Sequence, residues 1–591
     1  MSGLAPAFLD VERSLTGRRW EASESDERVG LALAQRFGLP EIVARVMAAR
    51  GIGIESAEAF LNPVLRDQLP DPSHLVDMDA AVARLVRAIQ GGETIGVFSD
   101  YDVDGATSTA LLKRFIEAVG GRVETYIPDR LKEGYGPNLP ALLELKERGA
   151  AVVVTVDCGT TAFEPLEGAS AAGLDIVVVD HHVAEPRLPD VCAVINPNRL
   201  DDASPHGQVA AVGVAFLLVV AVNRGLRDAG WYAGRTEPDL LQWLDLVALG
   251  TVCDVVPLTG INRAFVAQGL KIMGRRGNPG LNALADVAGM DEAPAAYHAG
   301  FIMGPRVNAG GRVGEAGLGA ALLTTADEAE ARALAARLDG YNSERRAIEA
   351  ACLDEAMAQA ETEGVDGGLV YVAAEGWHPG VIGIVAGRLK DRYNRPACVV
   401  AMADGVGKGS GRSVAGIDLG AAVVAARQSE FLVDGGGHPM AAGFTVAREK
   451  QGEFREFLAG HVGRQAGPGG IVRRLRIDAA VQPAGATVDL ATDLASLAPF
   501  GAGNPEPRFA LPATRIGKAD VVGKDHVRCF LAGSAGGRLK AICFRSAGEA
   551  HGQALLRSDG MPLHLAGHIR IDRWQGREEA QLIVEDVARI A

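Results

Sequence analysis

Short apolar runs at regular intervals constrain this chain more than any other feature. TIGVFS at 94–99, RVETYI at 122–127, AVVVTV at 151–156 and DIVVV at 175–179 each have the length of a strand. Between them, residues 140–149 and 161–173 have helical composition. Strands buried on both faces read as unbroken apolar runs, and parallel neighbours need a crossover helix between them. The alternation therefore specifies an α/β unit with a parallel sheet, in which ligands collect beyond the carboxyl ends of the strands.

Acidic residues and histidines occupy those ends. SDYDVDGATS follows the first run, VDCGT the third and VDHH the fourth, and LVALGTVCDVVPL brings Asp254 to the end of a further apolar run. Asp100, Asp102 and Asp104 crowd a strand-to-helix turn, with Gly105 permitting the tight exit. Their mutual repulsion is tolerable on a solvated turn, or is relieved by a divalent cation with oxygen ligands, Mg²⁺ or Mn²⁺. A calcium loop of the EF-hand type needs a helix before it, and here a strand precedes. A single aspartate after a strand is most often a helix cap. Asp157, Asp180, His181, His182 and Asp254 converging with the first three on one sheet edge need more than that, because buried carboxylates require partners. A two-metal centre draws on this donor set, with carboxylate bridges and imidazole or carboxylate ends.

At 591 residues the chain exceeds one hydrophobic core. The pattern changes divide it into a helical region at 1–75, an α/β unit at 76–275 and a helical connector at 276–363. A second α/β unit at 364–465 and a β-rich tail at 466–591 follow. The seven cysteines lack CxxC spacing, which fits reduced thiols in a cytoplasmic protein and argues against zinc ribbons. The first residues lack a basic-then-apolar secretory pattern. The longest apolar run, 209–222, is shorter than the roughly 20 residues of a membrane span and reads as a buried helix. A net charge of −15 argues against coating of duplex nucleic acid but leaves room for a local basic channel.

In the connector, 327–363 is rich in Ala, Glu, Arg and Leu and reads as one helix of up to about 55 Å. The second α/β unit carries glycine-rich segments at 407–413 and 435–438. Read as loops, they offer backbone N–H groups beside Lys408, Ser410, Arg412 and His438. The tail alternates apolar and polar residues over five or six short strands, the pattern of a small OB-type barrel. Lys518, Lys524, Arg528, Arg538, Lys540 and Arg545 accompany Phe530, Phe544 and Trp574, a composition suited to holding single strands by stacking.

The four clusters at 99–108, 156–160, 179–182 and 248–258 resemble, in order, the motifs of the DHH phosphoesterases. GPRVNAGGRVGEA, GWHPGVIGIVAGRLK, GKGSGRSVAGIDL, GGGHPMAAGF and PFGAGNPEPRF resemble the single-strand-specific exonucleases within that family. The resemblance implies a DHH catalytic domain at 76–275, a long helix joining it to a substrate-binding DHHA1 domain at 364–465, and an OB-fold domain at 466–591. It implies two divalent cations, Mn²⁺ or Mg²⁺, held by Asp100, Asp102, Asp104, Asp157, His181 and Asp254. Asp157 is the bridge, His182 stands beside the scissile phosphate, and Asp180 orients a neighbouring ligand. Cys158 departs from the asparagine expected there.

Substrate contacts implied are Arg130, Tyr135, Arg306, Asn308, Arg312, Ser410, Arg412, Gly436, Gly437 and His438. The implied activity is 5′-to-3′ hydrolysis of single-stranded DNA to mononucleotides in repair and recombination. The protein would act as a monomer, with a single-strand-binding protein and a helicase as partners and no membrane. The same metal domain could serve a small substrate (pyrophosphate, a dinucleotide or a cyclic dinucleotide), or persist as an inactive DNA-binding scaffold.

Overall fold

The computed structural model describes residues 6–130, 132–363, 368–533, 536–574 and 576–590. The chain begins and ends in the same unit. Strand β1 (Arg19–Ala22) runs parallel to the later segment Arg474–Ile477, with Trp20 opposite Leu475. The buried Trp20 indole donates to Asp586 at 2.9 Å, and Arg50 pairs with Asp478 at 2.8 Å. Helices Glu27–Phe37, Glu41–Ala49 and Ile54–Leu61 bury Leu33, Val43, Met47 and Phe60 in one core with Leu494, Phe509 and Leu531. The helical region expected over 1–75 is thus no separate unit. Short amphipathic helices bury too little on their own and gain their stability by packing against the barrel.

The first α/β unit has the expected parallel sheet. β2 (Thr94–Ser99), β3 (Arg122–Tyr126), β4 (Ala150–Val156), β5 (Asp175–Val179) and β6 (Ala193–Ile195) lie in the order β3-β2-β4-β5-β6. The three-residue β6 was not anticipated, being too short to leave a pattern. The apolar run at 209–222 lies in a buried helix, Ala211–Asp228. The run before Asp254 is also a helix, Leu244–Cys253, and not a strand. Buried on all sides, it shows no amphipathic period, and a short apolar run alone does not separate buried helix from strand.

Helix Glu328–Glu363 passes through Gly340 without a break. Its first half, with Leu334 and Leu338, belongs to the metal-domain core; its second half, with Cys352, Ala356 and Ala360, belongs to the core of the next unit. It therefore joins two lobes across a cleft. The second lobe has β7 (Val370–Glu375), β8 (Ala397–Ala403), β9 (Val406–Arg412), β10 (Asp434–His438) and β11 (Ala441–Ala447) in the order β10-β11-β9-β8-β7. The two glycine segments read as loops are strands β9 and β10. The backbone of β9 is committed to ladders on both sides, so no cradle of free N–H groups forms there. Its glycines serve close packing: a Cβ on Gly409 would lie 2.1 Å from the Phe444 ring.

The tail forms β12 (Arg474–Ile477), β13 (Ala479–Ala480), β14 (Phe509–Val522), β15 (His526–Gly533), β16 (Gly536–Cys543), β17 (Leu563–Trp574) and β18 (Arg577–Arg589). Pairing of β14 with both β15 and β17 closes β14-β15-β16-β18-β17 into a barrel. Buried Arg263 of the metal domain fastens barrel and N-terminal helices together. It donates to the carbonyls of Phe60 and Ala498 at 2.8 and 2.7 Å, with its guanidinium 3.8 Å from the Phe60 ring.

Candidate metal centre and single-strand path

β2, β4 and β5 are adjacent in the sheet, so the residues after them meet. Asp100 follows β2, and Asp102 caps the next helix, Val103–Ala118, accepting from the Asp104 and Gly105 N–H groups at 2.9 and 3.1 Å. Gly105 has an ordinary helical place. It is required because a Cβ there would sit 2.3 Å from the Asp100 carbonyl oxygen. Asp157 ends β4 with φ of 58°, a left-handed conformation that L side chains adopt at a cost. Helix Leu244–Cys253 delivers Asp254 from the side, and Val255 after it is also left-handed, at φ 61°.

Three groups of donor atoms result, each gathered within 4.8 Å: Asp157 with His181 and His182, Asp104 with His181 and Asp254, and Asp100 with Asp102 and Asp157. His181 Nε2 is 3.3 Å from Asp157 and 3.7 Å from Asp254. Asp104 is also fixed from behind, accepting from Ala211 and Val212 N–H at 2.7 and 3.0 Å. Burial, with the charge of Asp102, pushes Asp100 up to about 8 and Asp254 up to about 7. Burial and neighbouring carboxylates likewise raise Asp104 and Asp157 well above the carboxylate range. Asp100 Oδ1, Asp254 Oδ2 and His181 Nε2 are buried without hydrogen-bond partners. Orphaned acceptors among crowded carboxylates are the environment that divalent cations relieve, so these residues fit such ions. Oxygen ligands with one imidazole suit Mn²⁺ and Mg²⁺.

Asp180 and His182 form a separate pair. His182 Nδ1 lies 2.7 Å from Asp180, which also accepts from the Thr160 hydroxyl and N–H at 2.7 and 3.0 Å. Burial opposes ionisation of Asp180, but the bonds from His182 and Thr160 outweigh it and hold the carboxyl far below its usual value. Burial likewise opposes a charged His182, and the Asp180 bond overcomes it, raising the imidazole. Tyr135 arches over the pair, its hydroxyl donating to the Asp157 carbonyl at 3.2 Å and lying 3.5 Å from His182. Cys158 is turned into the apolar core, its thiol donating to Val156 O at 3.3 Å.

Arginines from both lobes stand beside the carboxylates: Arg130 and Arg312, on helix Gly304–Val313, come from the metal domain, and Arg412 ends β9 of the second lobe. Arg130 lies over the Tyr101 ring at 5.1 Å, and Arg412 donates to Ser410 Oγ at 3.1 Å. Arg312 donates to Gly380 O at 3.1 Å. Burial first, then the charges of Arg130, Arg345 and Arg412, pushes Arg312 down to about 10. Among the described residues, no carboxylate lies within ion-pair distance of Arg130, Arg312 or Arg412. Cations crowded without anions are the setting that a phosphate group would relieve. Arg306, Asn308 and Arg312, expected as substrate contacts, lie on helix Gly304–Val313, where Arg306 is committed to Asp339 at 2.9 Å. Gly436, Gly437 and His438 form the edge strand β10, where His438 comes close enough to act electrostatically on His181.

On the barrel, alternation turns Lys518, Arg528, Phe530, Arg538, Lys540 and Phe544 outward, while Val527, Cys529 and Leu531 fill the core. Lys518, Phe530 and Lys540 are cross-strand neighbours, and Arg538 covers the Phe530 ring at 4.1 Å. Arg528 and Lys540 are already paired with Asp520 and Asp572. Phe544 is exposed beside His526, Lys524 lies on an exposed turn, and Arg545 is exposed. The Trp574 side chain lies outside the described residues.

Fold and site together define a DHH-family protein that carries a DHHA1 domain and an OB barrel. The description "DHH family, N-terminal domain" matches residues 94–251, "DHHA1 domain" residues 366–463 and "RecJ OB domain" residues 477–586. The chain is 34% identical over 576 residues to the single-stranded-DNA-specific exonuclease RecJ of Bacillus subtilis, covering 96% of this chain and 71% of that one. It is 36% identical over 564 residues to that of Dickeya dadantii, covering 93% and 96%. A crystal structure of RecJ with Mn²⁺ from Thermus thermophilus superposes with a TM-score of 0.81 at 30% identity, covering 96% of this chain and 79% of that one. The chain belongs to the RecJ family.

Proposed function

We propose that this protein is a Mn²⁺- or Mg²⁺-dependent exonuclease that removes mononucleotides from the 5′ end of single-stranded DNA. One observation carries the reading: a buried cluster in which Asp100 Oδ1, Asp254 Oδ2 and His181 Nε2 are orphaned lies beside arginines that, among the described residues, lack a carboxylate partner, Arg130 and Arg312 from the metal domain and Arg412 from the second lobe. Asp100, Asp102, Asp104, Asp157, His181 and Asp254 would hold the cations. Held there, two divalent cations would supply an activated water and neutralise charge developing on the phosphodiester.

The chain's own residues do the rest. His182, oriented and kept protonated by Asp180, presents an imidazolium to the scissile phosphate. Arg130, Ser410 and Arg412 hold the terminal 5′ phosphate. Asn308, Arg312 and, after release from Asp339, Arg306 take backbone phosphates. Tyr135 narrows the path against a duplex, and Gly436, Gly437 and His438 line it from the second lobe. The barrel holds the strand further along by stacking on Phe530 and Phe544. In this reading the protein acts in the cytoplasm during repair and recombination, on strands supplied by a helicase and a single-strand-binding protein. No helix among the described residues is long and apolar enough to cross a membrane.

End-labelled single-stranded, duplex and dinucleotide substrates, each with Mn²⁺ or chelator, test the proposal. The 5′ label should leave first as a mononucleotide, only from the single strand and only with metal. Preference for the dinucleotide would replace this reading with a small-substrate phosphodiesterase, and binding without cleavage would make the protein a scaffold.

A further inference from the structure

Tyr297 and Phe301 were not singled out by the sequence, where they sit in an ordinary apolar stretch. At 61% and 72% exposure they are the most exposed aromatic rings among the described side chains. Their rings stack at 5.4 Å with 24° between planes. Phe301 stands on a short π-helical segment, His298–Met303, that leads into helix Gly304–Val313, and Tyr297 immediately precedes it. π-Helical turns are rare and cluster at functional sites. The opposite side of this one is packed: Ala299 and Met303 are buried, and Cys253 Sγ donates to the Ala299 carbonyl at 3.5 Å. The fold thus fixes the turn from behind and leaves both rings unused.

Position gives the rings a role. Gly300, between them, lines a cleft of about 140 Å³ with Cys253, Asn308 and Arg312, and Cys253 immediately precedes Asp254. On the other side lies Arg570 of the barrel, held by both oxygens of the Glu506 carboxylate and near enough to Tyr297 to feel its phenol. Arg570 pairs across strands with Gln581, which pairs with Lys540, so it continues the outward row that includes Phe530. The two rings therefore lie between the barrel face and the metal cleft, with Arg312 at one end and the Glu506-paired Arg570 at the other. A flat apolar face between cations matches a polymer that alternates bases with phosphates.

We propose that Tyr297 and Phe301 stack bases of the single strand on its way from the barrel to the metal centre. They would act as positioning residues that couple the two parts of the path. The proposal rests on the single-strand reading above, so its test includes a signal independent of hydrolysis. An oligonucleotide long enough to reach the barrel, carrying 2-aminopurine at successive positions, is bound to the full chain in chelator. Stacking quenches the probe, and the quenching should occur at one or two positions and disappear in a Tyr297→Ala/Phe301→Ala double variant. With Mn²⁺, that variant should lose roughly 5- to 150-fold more kcat/KM on the long strand than on a dinucleotide, the range expected for a lost base–aromatic stack. Tyr297→Trp/Phe301→Trp should restore both signals. Unaltered quenching, or equal loss on long and short substrates, would overturn the proposal. Wild-type protein that quenches but hydrolyses neither substrate would support the stacking site while refuting the exonuclease reading.

Discussion

Gly105→Ala places one methyl group against the turn that carries three of the proposed metal ligands. The added Cβ would lie 2.3 Å from Asp100 O, 2.8 Å from its carbonyl carbon and 3.1 Å from its nitrogen, all backbone atoms that no rotamer change moves aside. Relief to ordinary contact requires the helix start and the Asp100 turn to separate by about 1 Å, a misplacement that costs on the order of 100-fold in rate at a catalytic centre. The effect on stability should be smaller. Overpacking costs about 1–3 kcal/mol, and replacing a helical glycine by alanine returns about 1 kcal/mol. Gly340→Ala is the matched control, since a Cβ there meets nothing within 4 Å on the long helix. The assay is the Mn²⁺ dependence of single-strand hydrolysis beside the urea unfolding midpoint of each variant. Gly105→Ala should weaken apparent Mn²⁺ affinity and lower kcat with a midpoint near wild type, and Gly340→Ala should slightly raise the midpoint with full activity. Wild-type metal dependence in Gly105→Ala would refute the claim that this contact sets the ligand geometry.

Mn²⁺ added to metal-free protein at pH 6.5 should release protons, because Asp100 and Asp254, raised to about 8 and about 7, must ionise to bind. An indicator dye should show the release fading by pH 9, and its absence at pH 6.5 would contradict the assignment. Asp245 is buried at the start of helix Leu244–Cys253, and burial raises it to about 6. The stability of its neutral form is fully present below the ordinary value of 3.8 and is lost as pH rises through about 6. Asp245→Asn should therefore match wild type in urea unfolding at pH 3.5 and gain up to about 3 kcal/mol by pH 8. Arg263→Ala leaves the Phe60 and Ala498 carbonyls without their donor, and burial has already lowered this arginine to about 10. Removing the buried charge offsets part of the loss, so we expect about 2–4 kcal/mol of net destabilisation, seen as earlier protease release of the N-terminal helices and barrel. Unchanged proteolysis would show that this contact does not hold the two parts together.

Near-continuous valine and isoleucine runs at 151–156 and 175–179 allow little but buried parallel strands, so the sheet and the gathering of Asp100, Asp157 and His181 at its edge were legible without coordinates. Alternation made the barrel legible in the same way. What depended on contacts between distant segments was not. A helix buried on all sides has no period, so Leu244–Cys253 read as a strand although Asp254 was found. Glycines do not announce whether they serve a turn, free N–H groups or close packing, so Gly409 in β9 and Gly436 in β10 read as loops until Phe444 and the sheet partners were in place. Arg306 read as an open phosphate ligand because Asp339, 33 residues away on the long helix, is invisible to local pattern. The sequence by itself determined the chemistry that could be assembled, through residue type at strand ends. Only the tertiary structure decided which arginines remain unpaired, which oxygens are orphaned and which aromatic rings face water, because each depends on what the rest of the chain brings within a few ångströms.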